Sequence, residues 1–150
     1  MNYLDFKKLL IKNCHEILMN NFKAAETEMN AALQAANESG PPKDRYDPFR
    51  SQMLNRRNMF AEQCNKILSD AEILKKINTN ETLNEIHFGA VVLTNSHKLF
   101  FAIALGKVKI KNEVYFVAST QTPLFEAMKN KTTGDEFVIN CQKFIITDVF

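Results

Sequence analysis

The sequence predicts an α+β protein in which a long antiparallel helical hairpin, a coiled coil, precedes a small antiparallel β-sheet domain with one short helix. Two long stretches repeat apolar residues at steps of three and four, which is the spacing of packed helices. After residue 80, apolar and polar residues alternate, and β-branched and aromatic residues become frequent, as in strands. We therefore predict a helical domain over residues 1–79, with its tip at about 38–48, and a sheet domain over residues 80–150.

The first helix is predicted over residues 4–38 and the second over residues 49–77. Neither glycine nor proline interrupts the first stretch. The apolar seam of the two helices is expected at Leu10, Cys14, Ile17, Asn21, Ala25, Met29, Ala32 and Ala36, and at Met53, Phe60, Cys64, Ile67, Ala71 and Leu74. Helices of about 30 residues are roughly 45 Å long, and small alanines in the seam allow two backbones to pack closely.

The loop between the helices ends one helix and starts the next. Gly40 precedes two prolines, which lack backbone donors and cannot continue a helix. Asp47 followed by Pro48 is a favourable helix start, with aspartate as the N-cap and proline at the first helical position. Asp44 lies in the same loop, and Glu38 ends the first helix. Carboxylates at the end of a hairpin lie far from any core, so they are either solvated turn residues or groups presented to another molecule.

The sheet domain is predicted from short runs of β-forming residues separated by turn residues. Strands are expected at residues 88–94, 99–105, 107–110, 114–118, 137–139 and 144–146. A short helix is expected at residues 124–129, with Thr122 as its N-cap. A sheet with one helix packed on it gives the α+β class.

Composition and charge exclude several classes of protein. With 45% hydrophobic and 24% charged residues, the chain is typical of folded globular proteins. A formal net charge of +2 is too small to argue for nucleic acid or an anionic membrane as the partner. No run of about 18 apolar residues exists, and the first residues lack the apolar segment of a signal peptide. We expect a cytoplasmic monomer with no membrane partner.

The cysteines and histidines form no recognisable metal or redox motif. They stand at Cys14, Cys64, Cys141, His15, His87 and His97. The cysteines lack CxxC spacing and the histidines are not paired, so we expect packing residues and no metal site of this kind. The chain also lacks a P-loop and a GxGxxG motif.

One run in the sheet domain resembles the carboxy-terminal signature of bacterial Gre transcription elongation factors. The matching residues are Thr120, Gln121, Thr122, Pro123, Leu124, Ala127, Lys131, Gly134, Asp135, Glu136 and Phe137. Upstream, residues 89–92 and 100–107 are similar to the family's first strands. Gre factors also begin with a long helical hairpin, so the resemblance covers essentially the whole chain. It implies an FKBP-like fold for the sheet domain.

The resemblance implies an accessory factor of RNA polymerase rather than an autonomous enzyme. In Gre factors the sheet domain docks on the rim of the polymerase secondary channel and the hairpin enters the channel. Two acidic residues at the tip help to hold a second Mg²⁺ in the polymerase active site, and this ion activates water for cleavage of backtracked RNA. We therefore expect RNA polymerase as the partner, RNA contacted only indirectly at the tip, Mg²⁺ shared with the polymerase, and no cofactor of the chain's own.

Asp44 and Asp47 are the counterparts of the family's tip acids, because they keep two carboxylates three residues apart. Glu38 is a candidate third acid. The tip departs from the family pattern: the second acid is aspartate instead of glutamate, Pro48 follows it, and Tyr46 lies inside the pair. Residues 36–38 and 44–47 look closer to a variant group of Gre-like proteins with an Ala-Asn-Glu segment.

Basic tip residues and the signature segment are the candidate partner contacts. They are Lys43, Arg45, Arg50, Thr122, Pro123 and Leu124. The basic residues would complement acidic polymerase loops or RNA phosphate. The resemblance assigns the signature segment to the docking surface, and as a cap and first helical residue Thr122 and Pro123 also have a structural explanation.

Three alternatives remain at this stage. In the first, Asp47 is simply a helix cap and Asp44 is simply a solvated turn residue, and neither has a catalytic role. The chain can also be a regulator that binds polymerase and blocks its channel without stimulating cleavage, which the altered acids and the rigid prolines favour. Peptidyl-prolyl isomerisation is disfavoured, because FKBP pockets use an aromatic cluster that includes tryptophan and this chain has none.

Overall fold

The computed structural model describes residues 2–38 and 48–150, and it has the predicted α+β fold class. Two long helices come first, followed by a six-stranded sheet and one short helix. The helices are α1 (Tyr3–Glu38), α2 (Pro48–Lys75) and α3 (Pro123–Met128). The strands are β1 (Val91–Thr94), β2 (Lys98–Ala102), β3 (Gly106–Ile110), β4 (Glu113–Ser119), β5 (Glu136–Ile139) and β6 (Gln142–Val149). In the described ranges, no helix is long and apolar enough to cross a membrane.

The chain divides into two compact units. The sheet unit contains Met1–His15 and Ile73–Phe150, and the hairpin unit contains Glu16–Glu72. The start of α1 and the end of α2 thus belong to the sheet unit. The domain division into residues 1–79 and 80–150 stays a prediction.

Within the hairpin unit, α1 and α2 run antiparallel. Arg56 of α2 lies 3.1 Å from Glu28 of α1, and Arg50 donates to the carbonyl of Ala36 at 3.3 Å. A residue later in α1 is thus paired with a residue earlier in α2, which is the arrangement of antiparallel helices. The buried residues of this unit include four alanines, which fits the close approach expected of the seam: Leu18, Ala25, Ala32, Ala36, Cys64 and Ala71.

One part of the predicted seam is wrong. Leu18 is buried where the spacing predicted Ile17, and Asn21 is exposed. A straight α-helix has 3.6 residues per turn, so its buried stripe drifts from a strict alternation of three and four. Leu18 lies four positions after Cys14, and the drift of the stripe brings Leu18 into the seam.

The sheet has the strand order β3-β4-β2-β1-β6-β5. All pairs of neighbouring strands are antiparallel except β2 and β4, which are parallel, so the predicted antiparallel sheet is in fact mixed. The composition of the strands explains the exception. β4 is apolar on both faces and takes an inner position, whereas β3 carries Lys107 and Lys109 and takes the edge.

Both faces of the sheet are packed within the sheet unit. On one face, Phe101 of β2 meets Phe125 of α3 with ring centroids 5.2 Å apart. On the other face, Phe6 of α1 meets Tyr115 of β4 at 5.2 Å. Since neighbouring residues of a strand point to opposite faces, Phe116 lies on the α3 side.

Gly89 explains why β1 begins at Val91 and not at the predicted residue 88. Its φ of +88° lies in the left-handed region that favours glycine, and its amide donates to the Phe101 carbonyl at 2.7 Å. A Cβ at this position would lie 3.1 Å from Cγ2 of Ile77. The chain therefore turns at Gly89 before it can join the sheet.

Cys141→Gly is expected to stabilise the fold by about 0.5–1 kcal/mol. Asn140 and Cys141 connect β5 to β6 and have φ values of +51° and +65°, as in a type I′ turn, whose preferred residues are Asn-Gly. Cys141 is exposed, so the prediction that it packs is wrong. Urea unfolding followed by circular dichroism measures the gain. Cys141→Ala removes the thiol but keeps the Cβ, so an equal gain from alanine would contradict the backbone explanation.

Lys7→Met is expected to stabilise the protein at neutral pH by about 1–3 kcal/mol. Lys7 is fully buried in α1, and this burial lowers its pKa from 10.5. Between the lowered pKa and 10.5, the unfolded chain binds more protons at Lys7 than the folded chain does. The destabilisation of the fold by the buried ammonium is therefore complete below this pH window and shrinks as pH rises through it. Unfolding free energies measured across this range check the prediction. A gain from Lys8→Met, at the exposed neighbour, equal to that from Lys7→Met would contradict it.

Candidate partner-binding site

Most of the predicted tip lies outside the described residues. This holds for Asp44 and Asp47, the candidate catalytic acids, and for Lys43 and Arg45, the candidate basic contacts. Their roles stay predictions. Of the candidate residues at or beside the tip, the structure describes Glu38 and Arg50.

Glu38 is exposed at the end of α1, where the Gln34 side-chain amide donates to its Oε1 at 2.8 Å. Its carboxylate is the type of oxygen ligand that Mg²⁺ prefers. No group of three or more His, Cys, Asp or Glu side chains suited to a metal ion occurs in residues 2–38 and 48–150. A metal-binding role for the tip therefore depends on Asp44 and Asp47.

Arg50 has a structural contact in the hairpin unit. Its guanidinium donates to the Ala36 carbonyl near the end of α1. The last carbonyls of a helix lack partners within the helix, and a basic side chain that satisfies one stabilises the helix end. Arg50 therefore joins the two helices close to the tip, and its contact with a partner stays a prediction.

The signature segment forms the start of α3 as predicted. Thr122 is the N-cap: its Oγ1 accepts from the Phe125 amide at 3.3 Å and donates to the Ser119 carbonyl at 3.0 Å. Pro123 is the first helical residue. Leu124 is only half-buried. The cap thus fixes where α3 begins after β4, and with it the position of Leu124.

Beside α3 lies an open apolar groove of about 620 Å³, which we call the sheet groove. Its volume is within the range of ligand-binding pockets. Its apolar walls are formed by Leu99, Val114, Phe116, Leu124, Phe137, Ile139 and Phe144. Its polar rim is formed by Thr94, Ser96, His97, Lys98, Lys107 and Glu113.

The sheet groove exists because α3 covers only part of its sheet face. Phe125 and Met128 of α3 are buried against the core. Farther along β4, Val114 is 52% exposed and Phe116 is 40% exposed. Exposed apolar groups of this size, set side by side and rimmed by polar residues, mark surfaces that bind partners. The groove was not predicted from the sequence, although the apolar residues on both faces of β4 are a signal for it.

An ion pair and an aromatic ring stabilise one end of the rim. Lys98 Nζ lies 2.7 Å from Glu113 Oε2, and this contact lowers the pKa of Glu113. The Lys98 ammonium also lies 5.7 Å from the centre of the Tyr115 ring. Burial, together with the neighbouring Glu113, raises the pKa of Tyr115 to about 12. The positive charge of Lys98 is therefore already balanced within the sheet unit.

At the other end of the rim, His97 packs edge-on against Phe144 with ring centroids 5.4 Å apart. Its Nδ1 lies 2.9 Å from Ser96 Oγ, and the Thr94 hydroxyl donates to the His97 carbonyl at 2.9 Å. These contacts close the β1–β2 turn and hold the imidazole at the mouth of the groove. Within the described residues, the hydrogen bonds of this pair run to Thr94 and to each other.

No protein-family model matches the chain, and no curated protein matches it significantly. Crystal structures of Gfh1, a GreA factor homolog, are similar to it. The Gfh1 of Thermus thermophilus is 14% identical, with 91% of this chain and 94% of that chain covered and a TM-score of 0.36. The Gfh1 of Thermus aquaticus is 15% identical, with coverages of 92% and 94% and a TM-score of 0.34. At these values the likeness alone establishes neither family nor function.

Proposed function

We propose that this chain is a Gre-like accessory factor that binds RNA polymerase through its sheet unit and inserts the hairpin tip, at about 38–48, into the secondary channel. The observation that carries this proposal is the sheet groove, an open apolar surface with Leu124 of the Gre-like signature in its wall. The groove offers a partner an apolar surface, and the sequence predicts an acidic segment between the two antiparallel helices.

The chain's own part in catalysis would be small. Asp44 and Asp47, with Glu38 as a third candidate, would contribute oxygen ligands to a Mg²⁺ ion that the polymerase also binds. The ion would supply a water activated for attack on the phosphodiester. The factor would therefore be no enzyme by itself and would work in the cytoplasm as a monomer bound to the polymerase.

Asp44→Ala combined with Asp47→Ala is expected to reduce stimulated cleavage of backtracked RNA by at least about tenfold, because one ligand worth about 1.4 kcal/mol in the transition state changes a rate tenfold. The measurement is transcript shortening in a stalled complex with saturating factor. Glu26→Ala with Glu62→Ala removes two exposed carboxylates from the helices and serves as the control. Equal cleavage by the tip and control variants would remove the catalytic role.

A second candidate is a regulator that occupies the channel without stimulating cleavage. The shorter side chain of Asp47 and the adjacent Pro48 favour this alternative. Inhibition of nucleotide addition by the wild-type chain, without any transcript shortening, would select it. Both candidates require the same docking of the sheet unit on the polymerase.

A further inference from the structure

We propose that two copies of this chain associate through β5, with the exposed edges of the two β5 strands pairing antiparallel across a two-fold axis. The inference concerns the free chain and does not rest on the proposed function. Two observations carry it: the two edges of the sheet are protected unequally, and the backbone groups at the β5 edge are complementary to those of a second β5.

The two edges of the sheet differ in what protects them. In the strand order β3-β4-β2-β1-β6-β5, the outermost strands are β3 and β5. Lysines on an edge strand discourage pairing with another chain, and β3 carries Lys107 and Lys109. β5 carries neither lysine nor proline, and its one charged residue, Glu136, is paired with Lys143 at 2.8 Å. Val138 of β5 is 65% exposed, so β5 is the edge open to another strand.

The backbone groups of Glu136 and Val138 point away from β6. Ile145 of β6 lies opposite Glu136, but its own backbone bonds to Asn95 on the far side of β6. The Asn95 amide donates to the Ile145 carbonyl at 3.1 Å, and the Ile145 amide donates to Asn95 Oδ1 at 3.2 Å. Because bonding direction alternates along antiparallel strands, Glu136 and Val138 both present their amide and carbonyl groups at the edge.

A two-fold axis beside Phe137 matches these groups between two copies. Glu136 of each copy then lies opposite the partner's Val138, so every outward donor of the two residues meets an acceptor. Residues paired in this way share a face of the sheet, and the exposed Val138 side chain packs on the aliphatic part of the partner's Glu136. A register centred on Val138 would need Asn140, whose φ of +51° belongs to the turn. β5 is therefore complementary to itself, as a two-fold dimer requires.

The length of β5 limits the strength of this association. The strand spans only Glu136–Ile139. Pairing along so short an edge buries less than the roughly 1,200 Å² below which interfaces are weak and transient. We expect a dissociation constant on the order of 0.1–1 mM, so the dilute chain is the expected monomer and the concentrated chain forms the dimer.

Sedimentation and amide hydrogen exchange of the full chain test the inference between about 10 µM and about 1 mM, concentrations that span the onset of pairing. The average mass should rise toward that of a dimer. Exchange at the amides of Glu136 and Val138 should slow by about twofold or more, because paired amides are protected. The outward amides of Lys107 and Lys109, at the other edge, should keep their rates. A constant monomer mass, or equal protection of both edges, would overturn the inference.

Substitutions at the edge and beside it locate the contact. Val138→Pro removes an outward amide that β6 does not use, and proline is tolerated at such edge positions. Val138→Lys gives β5 the protection that β3 has, so both variants should stay monomeric at the highest concentration. Ile145→Lys is the matched control, because Ile145 is 40% exposed one strand inside the edge and should leave the dimer intact.

Circular dichroism verifies that each variant is folded, and Val138→Lys keeps the test valid if the proline variant is not. Dimerisation of Val138→Lys at the wild-type concentration would overturn the inference. Loss of the dimer in Ile145→Lys to the same extent as in Val138→Lys would also overturn it, because the contact would then be the exposed face of the hairpin and not the strand edge.

Discussion

Phe116→Asp is expected to weaken binding of the chain to RNA polymerase by at least about thirtyfold, which corresponds to a hot-spot residue worth about 2 kcal/mol. Phe116 lines the sheet groove and is 40% exposed, so it can contribute apolar area to a partner. An aspartate there would place an unpaired charge inside the apolar contact, and burying such a charge is costly.

Val138→Asp is the matched control for this experiment. Val138 is 65% exposed in β5 of the same unit and does not line the groove. It should bind polymerase like the wild type, as measured by surface plasmon resonance on immobilised core enzyme. If Phe116→Asp keeps its affinity, or if both variants lose it equally, the sheet groove is not the docking surface.

Phe101→Ala is expected to destabilise the sheet unit by about 3–5 kcal/mol. Phe101 is fully buried in β2, and its ring lies edge-on to Phe125 of α3 at 5.2 Å. Removing it leaves a cavity at the centre of the core that also contains Val92 and Met128. A loss of this size is a large part of the stability of an ordinary domain.

Phe116→Ala makes the same chemical change on the same face of the sheet, at a residue that is 40% exposed. Its cost should be less than half that of Phe101→Ala, because less apolar area leaves the core. Since the chain lacks tryptophan, unfolding is followed by circular dichroism and by amide hydrogen exchange in the sheet. Equal losses at the two positions would contradict the assignment of Phe101 to the core.

The helices and turns could be predicted from the sequence because local signals determine them. The spacing of Leu10 and Cys14, the cap at Thr122 and the glycine at position 89 are all visible in the sequence, although the prediction places Gly89 inside a strand. Which strands become neighbours depends on contacts distant in sequence. The insertion of β4 between β3 and β2 therefore escaped prediction, and the polarity of β3 explains it only afterwards.

The candidate site could be predicted only in part for the same reason. Asp44 and Asp47 stand out by their three-residue spacing in a loop, and Leu124 stands out by its place in the signature. The sheet groove combines residues from all six strands and α3, including Leu99, Lys107 and Phe137, so no short segment of the sequence predicts it. The groove is visible only in the folded structure, and the function of the tip depends on residues that the partner contributes.

A photo-cross-link from the tip tests the central claim most directly. A photoreactive amino acid replaces Arg45, which leaves both tip aspartates in place, and the full chain is bound to RNA polymerase and irradiated. We expect covalent attachment to segments that line the secondary channel and the active site, and we expect Phe116→Asp in the same chain to reduce it strongly at chain concentrations near the wild-type Kd. Attachment only to the outer surface of the polymerase, or no binding to polymerase at all, would contradict the account.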